Sequence, residues 1–169
     1  STLLASSAAS DVYKRQPKAG VYMGIQYEPI MMRAIDAVRE AGEVVLTSGI
    51  HRVRAKGAAD FVTDVDMAVQ SFLSRQLAVI APNVQFMGEE QDNSGIDPSR
   101  PVWILDPVDG TTNLIHGLRL SAVSLAYAEG GAVRFGVVYE HFRGECYSAC
   151  EGRRQPEWRA HLRQFRARA

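Results

Sequence analysis

The segment Trp103-Ile104-Leu105-Asp106-Pro107-Val108-Asp109-Gly110-Thr111-Thr112-Asn113 gathers two carboxylates, a glycine and two hydroxyls into one short run. Trp103 to Leu105 is apolar and reads as the end of a buried strand, and Pro107 predicts that the strand stops at Asp106. Asp109 then reads as an N-cap, with Gly110, Thr111 and Thr112 opening a helical turn whose first amides have no internal partner. Carboxylates repel each other and repel phosphate, so the grouping is coherent when a hard divalent cation sits between them. Magnesium fits, because it takes oxygen ligands, needs few of them from protein and bridges to phosphate oxygens. A plainer reading stands beside this one: Asp-Pro-x-Asp-Gly is also good turn chemistry, and a solvated turn with a helix cap uses the same letters. The run fits neither an EF-hand loop, whose next oxygen ligands would fall on Val108 and Gly110, nor a P-loop, which ends in Gly-Lys-Ser/Thr.

Two upstream groups of acids add to it. Thr63 with Asp66 three residues on is a capping-box pattern, and acids in a first helical turn most often complement the helix dipole. Glu89 and Glu90 follow the alternating strand Val84–Met87 and Gly88. Adjacent acids after a strand are usually solvated, but Glu89 and Asp106 both fall at strand ends in consecutive strands, where a rigid sheet positions chemistry.

The elements that must hold these residues are legible as periodicities. Pro29 opens a helix with Ile30, Ala34, Val38, Ala41 and Val45 on one face, and Gly49 ends it. Val53–Ala55 is a candidate short strand. After Thr63 a second helix carries Val65, Val69, Phe72, Leu73, Leu77 and Ile80 as its buried stripe and is ended by Pro82. Residues 91–101 form a polar connection with no period and read as a mobile flap. Ser121–Tyr127, Val133–Tyr139 and Glu145–Ser148 read as an antiparallel meander with turns at Gly130-Gly131 and Arg143-Gly144.

A chain of 169 residues with 46% hydrophobic content can build one core. Its net charge is zero, but Glu151–Ala169 carries six Arg against two acids, leaving −4 on residues 1–150. A nucleic-acid partner would rest on that tail alone and is not expected. Cys146 and Cys150 are too few for a disulfide scaffold and lack a second pair for zinc, which suits reduced thiols in a cytoplasmic protein. No window reaches the apolar length of a membrane span, so no membrane partner is expected. Residues 1–16 read as disordered and resemble a translated cloning adapter. They are not a signal peptide, and they are left out of the fold. Residues 17–150 then form the α+β part, and 151–169 read as a basic tail, truncated or frame-shifted.

Several motifs fall into register with one family. Trp103 to His116 resembles the W-I-x-D-P-x-D-G-T-T-N-F-x-H of the inositol monophosphatase family, magnesium-dependent and lithium-sensitive phosphatases, with Leu114 in place of the aromatic. Lys56 to Asp66 resembles the family's K-x-x-x-D-x-V-T-x-x-D, and Phe86 to Glu90 its F-x-G-E-E. Ala122-Val123-Ser124 and Gly136-Val137-Val138-Tyr139 resemble two of its strands. The match covers roughly residues 30–150 in order, so motif context supports motif.

The resemblance implies an α+β layered sandwich, of which this chain would be the N-terminal half, with two helices packed on an antiparallel sheet. It implies two or three Mg²⁺ in the complete enzyme. One would be held by Glu89, Asp106 and the Val108 carbonyl, and another would bridge Asp106 and Asp109. Thr111, hydrogen-bonded to Asp66, would with Glu89 orient and deprotonate a water, while Asp109 and the Gly110 and Thr111 amides hold the substrate. Lys56 occupies the place of a lysine near the site, although a surface lysine is the commoner reading. The implied reaction is hydrolysis of a small phosphate monoester, inositol monophosphate first, by in-line attack of metal-activated water, in a protein that is a homodimer when complete.

The departures are Leu114 and Gly117-Leu118-Arg119-Leu120 beside the site. Also absent is the family's later W-D-x-A-A-G motif, whose aspartate completes the second metal site; Trp158-Arg159-Ala160 is not that motif. Weak second-metal binding, low turnover and uncovered apolar surface are therefore expected. The same core would also serve a nucleotide 3′-phosphatase, NADP phosphatase, histidinol phosphatase or fructose-bisphosphatase. An alternative of another class is a non-catalytic metal- and phosphate-binding module.

Overall fold

A computed structural model of the chain describes residues 26–50, 52–55 and 61–151. Lys56 and the segments 1–16 and 152–169 lie outside the described residues.

Helix α1 spans Glu28–Thr47, with Pro29 in its first turn. Its buried face is Met31, Ala34, Ile35, Ala37, Val38, Ala41, Gly42 and Val45, so the expected stripe is present and Ile30 sits at its margin. The helix stops at Ser48, whose extended backbone donates to Val44 O at 2.9 Å, one residue before the glycine expected to end it. Gly42 is where α1 comes closest to the sheet: a Cβ there would lie 2.3 Å from the Tyr139 ring.

Strands β1 (Val53–Ala55) and β2 (Phe61–Thr63) form a separate antiparallel pair. Strand β2 is an addition to the elements expected from the sequence. Helix α2 (Asp64–Ile80) follows with the expected capping box complete at Thr63 and Asp66. Its buried side carries Val65, Val69, Leu73 and Leu77, but also Asp66 and Gln70. Phe72 and Ile80 are only partly buried against the core.

The main sheet has the order β3-β4-β5-β6-β7, with β3 Gln85–Gly88, β4 Val102–Asp109, β5 Ala122–Glu129, β6 Ala132–Glu140 and β7 Glu145–Cys150. The meander β5–β6–β7 is antiparallel as expected, and Gly130 and Gly131 both take positive φ in its first turn, the backbone a two-residue hairpin needs. The sheet is not wholly antiparallel, because β3 pairs parallel to β4. Parallel neighbours need a long return, and residues 89–101 supply it. That return is no free flap. Asn93 pairs with both backbone groups of Gly88, and Gln85 exchanges hydrogen bonds with the backbone of Asp97.

Helices α1 and α2 cover one face of the sheet, burying Trp103, Leu105, Val123, Leu125, Tyr127, Phe135, Val137 and Tyr139. Within this core Tyr127 and Phe135 stack with ring centroids 5.3 Å apart, and Trp103 meets both edge-on. The result is an α+β fold of helices layered on a mixed sheet. No helix among the described residues is long and apolar enough to cross a membrane.

Candidate metal and phosphate site

Strand β4 does not end at Asp106. It runs on through Pro107 to Asp109, and its register against β5 shifts on the way: Asp106 faces Ser124, while Asp109 faces Ala122. Three steps on one strand against two on the other make a bulge. Residues three apart on an unbroken strand point to opposite faces, so the bulge returns Asp109 to the face that carries Asp106. Pro107 is tolerated because pairing with β3 ends at Gly88 and Leu105, leaving no neighbour on that side to receive an N–H.

The cap of the next helix is Gly110 rather than Asp109. Gly110 has φ +93°, and helix α3 (Thr111–Ile115) starts after it, with Leu114 N donating to Gly110 O at 3.0 Å. Both its backbone and its surroundings require glycine, since a Cβ would fall 2.8 Å from the Leu120 carbonyl. Asp109, freed from capping, is exposed at the strand end.

Asp66 lies at the third position of α2 and is 1% exposed. Its Oδ2 accepts from the Thr63 amide at 2.8 Å and from the Thr63 hydroxyl. Its Oδ1 is 3.0 Å from Thr111 Oγ1, which is also 2.9 Å from the Val108 carbonyl. The capping role and the link to Thr111 therefore belong to the same carboxylate, one oxygen to each. Glu89 follows β3, and its amide donates to Leu105 O at 3.2 Å, so it emerges beside Asp106.

Glu89, Asp106, Val108, Asp109, Gly110 and Thr111 line one cleft of about 210 Å³, joined by Phe61 and Thr112. Asp106 shares a hydrogen bond with Glu89, and its carboxyl is pushed up to about 7, first by burial and then by the charges of Glu89 and Asp109. Its Oδ1 is buried with no hydrogen-bond partner. No three His, Cys, Asp or Glu side chains among the described residues are drawn together tightly enough to cage a metal by themselves. Asp106 is hydrogen-bonded to Glu89, while Asp109 is exposed at the strand end. An orphaned buried carboxylate oxygen, hard oxygen donors and a carboxyl raised by burial and by neighbouring like charges all suit a cation such as Mg²⁺.

Thr112, expected to open the helical turn beside the site, lines the cleft, whereas Phe61 was not foreseen there, because an aromatic side chain carries no chemistry of its own to single it out. Nor were Gln70 and Asn93 foreseen, which hold the backbone around Glu89. The available signal for Gln70 was an amide standing within an apolar helical stripe.

The fold recurs in solved proteins. The extragenic suppressor protein suhB of Bartonella henselae matches with a TM-score of 0.69 and 31% identity, over 74% of this chain and 49% of that one. An IMPase/NADP phosphatase solved with Mg²⁺ and phosphate matches with a TM-score of 0.63 and 26% identity, over 76% of this chain and 49% of that one. Human inositol monophosphatase 1 is 34% identical over 137 residues, 78% of this chain and 50% of its own length. The description "Inositol monophosphatase family" fits residues 26–167, and the chain belongs to that family of phosphatases. It spans about half the length of the curated relatives it matches.

Proposed function

We propose that this chain carries the metal- and phosphate-binding half of a magnesium-dependent phosphomonoesterase acting on inositol monophosphate. The observation that supports this most is the β4 bulge, which turns Asp106 and Asp109 to one face beside Glu89, with the start of α3 closing the cleft. Glu89, Asp106, Asp109 and the Val108 carbonyl would hold Mg²⁺, which when bound neutralises the phosphate and makes a water acidic enough to attack. The Thr111 hydroxyl has a single proton, and donation to the Asp66 carboxylate is favoured over the neutral Val108 carbonyl because it is charge-assisted. Its lone pair is then free to accept from a water in the cleft, and Glu89 is placed to take that water's proton. The first amides of α3 and the Gly110 turn point donors at a phosphoryl oxygen. In-line displacement needs no covalent intermediate.

Calorimetry with Mg²⁺, followed by phosphate release from inositol 1-phosphate, tests the reading in wild type and Asp106→Asn. Millimolar or tighter binding that disappears in the variant supports it; an unchanged titration overturns it. A second reading, hydrolysis of the 2′-phosphate of NADP, is favoured by the solved relative described as an IMPase/NADP phosphatase. Phosphate release from NADP exceeding that from inositol 1-phosphate would select it. Binding with no turnover of either ester would select a non-catalytic module.

A further inference from the structure

Parallel strands β3 and β4 end on the same side of the sheet, and both ends carry a carboxylate of the proposed site. One helix reaches both. Asp66 and Gln70 lie one turn apart on α2, on the same face. Asp66 takes the Thr111 hydroxyl beyond β4, and Gln70 takes the Glu90 amide beyond β3, with Gln70 Oε1 2.9 Å from Glu90 N.

Gln70 is 7% exposed, and burying an amide is costly unless it is paired. The strand beneath it makes a matching concession, since Gly88 has no side chain and a Cβ there would lie 2.4 Å from Gln70 Oε1. A leucine at position 70 would pack against the sheet without either cost. We infer that Gln70 is a positioning residue for Glu89: through its hydrogen bond to the Glu90 amide it fixes the turn from which Glu89 enters the cleft, and Gly88 is the space it needs. Asn93 holds the same turn through Gly88, whose N and O lie 3.3 and 2.7 Å from its side-chain amide.

This inference deepens the proposed metal site and rests on that reading, so its test has one arm that needs no metal. Gln70→Met keeps the packing and removes the acceptor. We expect it to weaken Mg²⁺ binding about tenfold, the loss of one hydrogen bond, and to speed exchange of the Glu90 amide proton by a similar factor, with Tm close to wild type. Gly88→Ala should do the same by displacing Gln70. In a Gln70→Ala background it should add less, because the clash with Gln70 is gone and only the Phe86 ring, 3.0 Å from such a Cβ, has to give way. Leu77→Ala, on the same helix but remote from the cleft, is the control for general loosening. Wild-type Mg²⁺ affinity and Glu90 exchange in Gln70→Met would overturn the inference, as would equal changes in Leu77→Ala. Should wild type bind no Mg²⁺, the metal reading fails, and Glu90 exchange alone decides: unchanged in Gln70→Met, the inference falls too.

Discussion

Asp106, half-buried, and His141, buried, pull stability in opposite directions with pH. The Asp106 carboxyl is raised from 3.8 to about 7. The folded chain therefore keeps a proton that the unfolded chain releases above pH 4, and this contribution to stability is lost as pH rises from 4 through 7. Allowing for a partly wet cleft, the loss is on the order of 2 kcal/mol. Asp106→Asn should flatten this dependence and make the metal-free protein more stable than wild type at pH 8, while abolishing the extra stability that Mg²⁺ confers. Urea melts at pH 5 and pH 8, with and without Mg²⁺, measure both effects. His141 is 2% exposed, and burial lowers its imidazole to about 4. Its Nε2 lies 3.1 Å from Ser121 Oγ, and its Nδ1 is buried without a partner, so the neutral ring is the stable form. Its folded pKa lies below the unfolded value, so its contribution is present above pH 6.5 and lost as pH falls through 4. His141→Leu should remove that acid limb, leaving melts between pH 6.5 and 4 flatter than wild type.

At the scale of elements, Thr63 serves both a helix and a site. Its side chain accepts from Val65 N and Asp66 N, and its own amide and hydroxyl hold Asp66. Thr63→Ala should cost about 1–2 kcal/mol as a lost cap and should also loosen the Asp66 link to Thr111. Thr63→Ser should restore most of both, read from Tm and from exchange of the Thr111 hydroxyl. The capping box was legible in the sequence because it is local, a matter of residues 63 to 66. The meander was legible for the same reason, as alternation and paired glycines carry it. The bulge at Pro107-Val108 was not, because it exists only as a register between β4 and β5, and a proline after an aspartate looks like a stop. Giving the cap to Asp109 followed from that error: once the strand runs to Asp109, only Gly110 is left to take the left-handed turn. The parallel pairing of β3 was hidden too, since alternation of side chains says nothing about the direction of a neighbour. Asp106 and Asp109 stand out by type and spacing, and Glu89 and Asp66 mainly through the family resemblance, whereas Gln70 and Asn93 act on backbone that the sequence does not place.

For the whole molecule the decisive feature is the second face of the sheet. Met87, Ile104, Ala126, Gly136 and Ala149 stand opposite one another in a row that crosses all five strands, and none of them is fully buried. Ile104 is 37% exposed at the middle of β4, a bulky apolar side chain between Met87 and the small residues of β5 to β7. Both α1 and α2 are committed to the other face, so among the described residues nothing is packed over this row. Flat apolar surface of this kind is covered in stable proteins. The chain as it stands should therefore self-associate through this face, with an average mass in light scattering that rises with concentration. Ile104→Thr removes apolar area at the centre of the contact, about 1 kcal/mol or more per pair, and should weaken association several-fold while leaving Tm nearly unchanged, because the side chain packs under neither helix. A monodisperse wild-type monomer at 100 µM, or an Ile104→Thr variant that associates as strongly as wild type, would show that the face is not the surface through which copies meet.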